Sequence, residues 1–126
     1  MTTVPVLTLT TVNIGAPDAP LLAHFYERLL GWAITDQEPE WVIVRPPDGG
    51  VALAFQHEPH YVRPVWPAGP GDPQMMLHLE IQVDDLDSAS THALRCGATL
   101  ADYQPQDDVR VCLDPVGHPF CLWVAT

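Results

Sequence analysis

The sequence predicts an α+β fold made of two tandem βαβββ units, and three features carry that prediction. Apolar and polar residues alternate strictly over residues 77–83, which is typical of a strand with one face against a core. Apolar residues at helical spacing follow that strand, and they also follow an earlier β-rich segment. The landmarks of the two halves repeat at offsets of 67, 66 and 68 residues: the N-cap aspartates Asp18 and Asp85, the helix-ending glycines Gly31 and Gly97, and the turn glycines Gly49 and Gly117.

The first unit is predicted to span residues 7–56. A strand over residues 7–14 is followed by a turn and by Asp18, which is a good N-cap for a helix. Apolar residues then recur at helical spacing from Leu21 to Leu30, and Gly31 is the natural stop. Three further strands are predicted over residues 32–35, 41–45 and 51–56.

A proline-rich connector over residues 57–74 separates the two units, and regular structure is not expected there. Within it, Tyr61 and Trp66 suit packing over a sheet edge or a pocket mouth. The second unit, residues 75–124, continues from the alternating strand through a helix and through strands over 98–100, 109–113 and 119–124. The chain, residues 1–126, is therefore predicted to be a single domain.

The charge of the chain excludes several classes of partner and of chemistry. The chain has 16 acidic residues, five arginines and no lysine, and its formal net charge is −11. This charge would repel nucleic acid and anionic membrane surfaces. Schiff-base chemistry lacks a lysine, and the sequence has neither a glycine-rich phosphate loop nor a serine nucleophile elbow.

The cysteines and the hydropathy indicate a reduced, cytoplasmic protein. Cys96, Cys112 and Cys121 are an odd number in no metal-knuckle spacing, so a disulfide framework is not expected. No apolar run approaches the roughly 18–20 residues of a membrane span. The residues after Met1 also lack the basic region of a signal peptide.

The alternating strand carries an unusual polar face. His78, Glu80 and Gln82 point to one side of it, and the apolar residues between them point to the other, where the second helix is expected. Neighbours in this row are roughly 6–7 Å apart by strand rise. The row either lines a pocket or faces water, and the strand alone does not decide between these alternatives.

Several motifs connect the chain to a known family: APD, FY and LG at residues 16–18, 25–26 and 30–31, PVWP at 64–67, MLHLEIQVDDLD at 76–87, and DPVGHPFCL at 114–122. Through them the chain resembles, over essentially its whole length, the glyoxalase-like branch of the vicinal oxygen chelate superfamily of glyoxalases, bleomycin resistance proteins and dioxygenases. The resemblance implies an open, cup-shaped mixed β-sheet with the helices on the outside and room for a ligand inside. It does not fix the reaction.

The resemblance also implies where metal ligands would lie, namely on the first and last strands of each unit. His78 occupies one such position, and Thr11 occupies its counterpart in the first unit. Leu53 and Cys121 stand where metal-using relatives have glutamate. His78 is therefore the one clear candidate ligand, although Cys121 and Gln56 would complete a site for a soft metal. No cofactor is expected, and the alternative is a divalent metal with an incomplete ligand set.

Strand alternation assigns eight residues to the inside of the predicted cup. Together they would make an apolar and aromatic cavity with a few polar groups, which is typical of a small-molecule site. Core filling is the alternative for the aromatic members, and a strand histidine without a role is the alternative for the histidine. The predicted ligand-binding residues are Thr11, Asn13, Phe55, His78, Glu80, Gln82, Cys121 and Trp123.

Three functions are consistent with these residues. The first is a small-molecule-binding protein without a complete metal site, similar to the superfamily members that confer antibiotic resistance by holding the drug. The second is a lyase, isomerase or dioxygenase of the vicinal oxygen chelate type, with His78 as metal ligand or Glu80 as general base. The third is a structural or regulatory domain with a collapsed cup. The expected partners are a small organic molecule and a second copy of the chain, because the superfamily usually dimerises and sheet edges need cover.

Overall fold

The computed structural model describes residues 5–126 and has the α+β architecture predicted from the sequence. The first unit consists of β1 (Thr11–Ala16), α1 (Ala19–Leu30), β2 (Ala33–Glu38), β3 (Trp41–Arg45) and β4 (Ala52–His57). The second unit consists of β5 (Leu79–Gln82), α2 (Leu86–Cys96), β6 (Thr99–Leu100), β7 (Val109–Leu113) and β8 (Pro119–Trp123). Two βαβββ units therefore follow one another along the chain.

Each unit folds into one open, four-stranded mixed sheet. The strand order is β1-β4-β3-β2 in the first sheet and β5-β8-β7-β6 in the second. The pairs β1–β4 and β5–β8 are parallel, and the remaining pairs in both sheets are antiparallel. The same order and the same strand directions in both sheets confirm the internal duplication that the repeated landmarks predicted.

Both helices begin and end at the predicted capping residues. The Asp18 carboxylate accepts a hydrogen bond from the Leu21 N–H at 3.1 Å, and the Asp85 carboxylate accepts one from Ser88 at 3.0 Å. Each bond satisfies an N–H group that a first helical turn leaves without a partner. Gly31 ends α1 in the left-handed conformation, at φ 70°, which glycine adopts without steric cost. Within residues 5–126, neither helix combines the length and the apolarity needed to cross a membrane.

Two strands start later than the sequence pattern predicted. β1 begins at Thr11 rather than at residue 7, and β5 begins at Leu79 rather than at residue 76. A strand needs a neighbour to pair with, and the parallel registers with β4 and β8 open at these same residues. The apolar residues ahead of both strands consequently lie exposed, namely Val6, Leu7, Leu9 and Met76.

One hydrophobic core joins the two units. Tyr26 of α1 stacks on Phe55 of β4 with ring centroids 5.4 Å apart, and it meets Phe25 and Phe120 edge to face. Because Phe120 belongs to β8, these rings pack across the boundary between the units. Burying one such side chain stabilises a fold by roughly 1.5–3 kcal/mol.

On the face of the first sheet that points away from α1, β4 carries small side chains. Ala52 and Ala54 of β4 form a separate buried cluster there with Ile43, and Trp41 packs against it. Large and small residues therefore alternate along β4, with the large ones beneath the helix.

Candidate functional site

A polar cluster lies on the face of the second sheet that points away from the core. Glu80 of β5 is the register partner of Cys121 of β8, and His78 stands just ahead of β5. Ligand atoms of these three residues all lie within 4.8 Å of one another. Leu79 and Ile81, which alternate with them, pack against the core instead. Strand alternation thus brings an imidazole, a carboxylate and a thiol together.

A short hydrogen bond orients the first two groups. His78 Nε2–H donates to Glu80 Oε2 at 2.6 Å, since an ionised carboxylate can only accept. This bond fixes the tautomer of the imidazole. The His78 side chain is 26% exposed and the Glu80 side chain 53% exposed, so a molecule arriving from solvent can reach both.

Two aromatic residues from irregular segments pack beside the polar cluster. Trp66 of the connector stacks on the His78 imidazole, with ring centroids 4.8 Å apart and planes inclined by 28°. Tyr103, between β6 and β7, meets Trp66 edge to face at 5.5 Å. Aromatic pairs of this kind contribute about 0.5–1.5 kcal/mol beyond the area that they bury. The connector therefore covers one side of the cluster with an indole ring.

These groups line a cavity of about 260 Å³, which we call the His78 cavity. Its volume is close to the lower end for small-molecule sites, which usually measure roughly 300–1,000 Å³. A mainly apolar wall with a few convergent polar groups is typical of such sites. The lining residues are Trp66, His78, Glu80, Tyr103, Pro105, Gln106, Val109, Val111 and Cys121.

The surroundings of Cys121 keep its thiol protonated. Burial raises the pKa of Cys121 to about 12, and the negative charge of Glu80 and its hydrogen bond with the thiol add to the effect. Burial also raises the pKa of the Cys112 thiol, to about 11. Because the thiolate is the reactive form, Cys121 is unsuited to act as a nucleophile at neutral pH.

His78, Glu80 and Cys121 offer a nitrogen, an oxygen and a sulfur donor to a metal ion. Zinc accepts all three donor types, and catalytic zinc sites commonly combine three protein ligands with one open position. The donor set therefore fits a divalent ion that can displace the Cys121 proton. Gln56, which the sequence suggested as a third ligand, is engaged elsewhere, because its Oε1 accepts a hydrogen bond from Asn13 Nδ2 at 2.7 Å. Glu80 takes its place in the cluster.

The other predicted site residues lie outside the His78 cavity. Gln82 and Trp123 are register partners one step further along β5 and β8. Thr11 and Asn13 lie on the face of β1 opposite to the core residue Ile14. Three of the eight predicted residues line the His78 cavity: His78, Glu80 and Cys121.

The Phe55 side chain points towards the core, whereas the sequence predicted that it faces the cup. This side chain is fully buried in the core beneath α1, stacked on Tyr26, so the expectation that Phe55 faces the cup is wrong; Leu53 lies in the same core. β4 is apolar on both faces, and alternation alone does not say which face meets the helix. The larger side chains bury more area beneath α1, which leaves the other face to Ala52 and Ala54.

A second cavity, of about 300 Å³, lies between β1 and the segment that leads into β5. Several of its polar side chains already have partners within the protein. The Tyr61 hydroxyl donates to the Val116 carbonyl at 2.7 Å, and His118 Nε2–H donates to the Gly15 carbonyl at 2.7 Å. Asn13 is held by its bond to Gln56. We therefore place the candidate site at the His78 cavity, where polar groups converge with acceptor positions still open.

Sequence reasoning missed most of the cavity wall. Tyr103 and Gln106 lie in an irregular segment without any period, and no sequence signal places them beside Trp66. Val109 and Val111 carry a usable signal, because they alternate with Arg110 along β7 and so share a face. The strand half of the site is thus readable from alternation, whereas the loop half depends on tertiary packing.

Comparison with known proteins places the chain among glyoxalase-like folds. A family model described as a glyoxalase-like domain matches residues 11–123. A glyoxalase/bleomycin resistance protein/dioxygenase family enzyme from Burkholderia phytofirmans has a TM-score of 0.73 at 19% identity, over 95% of this chain and 100% of that chain. A glyoxalase-related enzyme from Fulvimarina pelagi has a TM-score of 0.68 at 19% identity, over 95% of this chain and 89% of that chain.

An antibiotic-binding protein from a Streptomyces species is a further structural neighbour. It has a TM-score of 0.66 at 18% identity, over 98% of this chain and 100% of that chain. No curated protein matches the chain. At these identities the likeness to solved structures extends to the fold alone.

Proposed function

We propose that this chain, which belongs to the glyoxalase-like domain family of the vicinal oxygen chelate superfamily, binds a small organic molecule in the His78 cavity. The proposed binding does not involve a metal ion. The observation that carries the proposal is the convergence of His78, Glu80 and Cys121 on a cavity whose other walls are apolar and aromatic. Such a lining suits a molecule with an apolar body and a few polar atoms.

Different lining groups would contact different parts of the ligand. The Glu80 carboxylate has about four acceptor positions, and the bonds from His78 and Cys121 leave others for a ligand. The indole of Trp66, which stacks on His78, adds an aromatic side chain to the cavity wall. The antibiotic-binding protein from Streptomyces supports the proposal by analogy, because it shares this fold.

Ligand screening followed by calorimetry tests the proposal. Removing a side chain that hydrogen-bonds the ligand should weaken binding by about 1–3 kcal/mol. We therefore expect His78→Ala and Glu80→Ala to lower the affinity of a binder found by thermal shift. Gln82→Ala is the matched control, since Gln82 lies on the same strand outside the cavity lining. Parental affinity in both His78→Ala and Glu80→Ala would refute the proposal.

A lyase, isomerase or dioxygenase is the second candidate function, and the three-donor cluster favours it. His78, Glu80 and Cys121 would hold a divalent ion, and such an ion supplies Lewis-acid chemistry to oxygen atoms of a substrate. Without an ion, Glu80 would be available as a general base within reach of the cavity.

Elemental analysis of the purified protein separates the two candidates. We expect no stoichiometric zinc, iron, nickel or manganese, because an ion would first have to remove the proton that burial and Glu80 hold on Cys121. About one equivalent of metal, lost in His78→Ala and Cys121→Ser but kept in Cys112→Ser, would favour the enzyme instead.

We also propose that two copies of the chain form a homodimer. Apolar residues are exposed at equivalent places ahead of the two units, where Leu9 and Met76 are 73% and 90% exposed. Burial of these residues between two copies of the chain would remove their apolar surface from water. Sedimentation at tens of micromolar should show a dimer that Leu7→Asp weakens, whereas Leu21→Asp on α1 should not. A clean monomer of the parent chain would contradict the proposal.

A reducing, cytoplasmic location completes the proposal. The cysteines Cys96, Cys112 and Cys121 are all unpaired and buried. Reduced thiols are the normal state of cysteine in the cytosol. Thiol counting on protein from its native source should therefore give three free thiols per chain, and a disulfide would contradict this location.

A further inference from the structure

The formal charge of the residues that line the His78 cavity is negative only. Taking histidine as neutral, Glu80 is the one formally charged group among the lining residues. Arg110 belongs to the same strand as Val109 and Val111, but it pairs with Leu122 on the core face of the sheet. Its guanidinium is held by the carbonyls of Asp107 and Val109. The cavity thus presents a carboxylate without a counter-charge of its own.

The acceptor capacity of Glu80 is only partly used. His78 donates to Oε2 at 2.6 Å, and the Cys121 thiol is hydrogen-bonded to the same carboxylate. A carboxylate offers about four acceptor positions, so two donors leave room for a ligand N–H. Because the Glu80 side chain is half exposed, these positions are open to a molecule entering the cavity.

The aromatic wall favours the same kind of ligand. The ring systems of Trp66 and Tyr103 lie 5.5 Å apart at the cavity, and their π faces attract cations as well as flat apolar rings. The apolar side chains of Val109 and Val111 offer contact surface to the body of the ligand. At about 260 Å³ the cavity admits one or two fused rings rather than a large drug.

The electrostatic field of the whole molecule also favours a cationic ligand. The net charge of −11 and the absence of lysine raise the local concentration of cations and lower that of anions.

We propose that the His78 cavity selects a small, flat organic cation, one or two fused aromatic rings that carry a protonated nitrogen. Glu80 accepts a charge-assisted hydrogen bond from that nitrogen, and Trp66 and Tyr103 contact the ring system. This inference rests on the proposed small-molecule-binding function and narrows it to one chemical class.

Three probes that share one ring system test the class of ligand. At neutral pH, 4-aminoquinoline is a cation, quinoline is neutral and quinoline-4-carboxylate is an anion. Calorimetry in 150 mM NaCl should show 4-aminoquinoline binding about tenfold or more tighter than quinoline, because charge-assisted hydrogen bonds are roughly twice as strong as neutral ones. The carboxylate probe should not bind. Binding should shift the NMR signal of the Trp66 indole N–H.

The variant Glu80→Gln should abolish the preference for the cation, so that 4-aminoquinoline and quinoline bind to this variant with similar affinity. Glu38→Gln is the matched control, since it removes one negative charge from β2 of the other sheet. This control should keep the full preference for the cation. Equal loss of preference in the two variants would show general attraction to an acidic protein and would overturn the inference.

The remaining outcomes separate this inference from the function on which it rests. If quinoline and 4-aminoquinoline bind equally and both shift the Trp66 signal, the ligand class is wrong and the binding function stands. If none of the three probes shifts that signal at millimolar concentration, the ligand class is wrong. The proposed binding function then fails as well if the thermal-shift screen also finds no ligand that depends on His78.

Discussion

At the scale of single residues, Glu80 interacts with both of its neighbours in the polar cluster, His78 and Cys121. Its carboxylate accepts a hydrogen bond from His78 at 2.6 Å, and its charge adds to burial in raising the pKa of Cys121 to about 12. The thiol and the imidazole N–H therefore both act as donors towards one acceptor. Such a connected network fixes the geometry of a site before a ligand arrives.

We predict that iodoacetamide modifies Cys121 slowly and with a steep pH dependence. At pH 8 a thiol with a pKa of about 12 holds about a thousandfold less thiolate than one at the ordinary value of 9.0. The rate, followed by peptide mass spectrometry, should therefore still rise about tenfold per pH unit between pH 8 and 10. A rate that levels off near pH 9 would contradict the raised pKa.

The contribution of Glu80 to this effect can be isolated. Glu80→Gln removes the charge beside the thiol but leaves the burial, so alkylation of Cys121 at pH 8 should become faster while staying slower than that of a free thiol. Glu38→Gln removes the same charge from the other sheet and should leave the rate unchanged.

At the scale of elements, the sequence predicted most of the fold and, of the site, the polar cluster of His78, Glu80 and Cys121. The caps Asp18 and Asp85 set the helix starts by a local hydrogen bond, so short-range chemistry was sufficient there. The strand starts needed the pairing register, which joins residues far apart in the chain. Phe55 was assigned to the wrong face of β4 because both faces of this strand are apolar. The alternation of small and large residues along β4 does indicate the face that meets α1, since the large residues pack beneath the helix. Trp66 was expected over a sheet edge or a pocket mouth, and it does line the cavity, although only tertiary packing places it against His78.

We predict that Asp85→Ala destabilises the protein by about 1 kcal/mol through the loss of the α2 N-cap. The Asp85 carboxylate accepts the Ser88 N–H at 3.0 Å, and alanine leaves that donor without its partner. Asp84→Ala is the matched control, because it removes the same charge one residue earlier and outside the cap. Urea denaturation should show a lower midpoint for Asp85→Ala than for Asp84→Ala. Equal midpoints would mean that the cap contributes nothing beyond charge.

At the scale of the whole molecule, two hydrogen bonds connect the units through the turn that precedes β8. Asp114 in that turn is buried, and it accepts the Tyr26 hydroxyl of α1 at 2.8 Å. His118 in the same turn bonds the carbonyl of Gly15 in β1. The turn leads directly into β8 and so into Cys121, which means that packing between the units also positions one side of the His78 cavity.

We predict that Tyr26→Phe destabilises the protein by about 1–3 kcal/mol, because the buried Asp114 carboxylate loses one of its hydrogen-bond donors. The Asp114 backbone partners, the N–H groups of Val116 and His118, remain and should keep the turn folded. Urea denaturation should therefore show a lower midpoint with an unchanged slope.

Tyr103→Phe is the matched control for this last prediction. The same atom is removed, but the Tyr103 side chain is partly exposed and its hydroxyl has no protein partner within residues 5–126. Surface changes of this kind usually stay within about 0.5 kcal/mol. If Tyr26→Phe proved as stable as Tyr103→Phe, the Tyr26–Asp114 bond would not hold the units together. The shared aromatic core and the remaining bond between His118 and the Gly15 carbonyl would then account for their association.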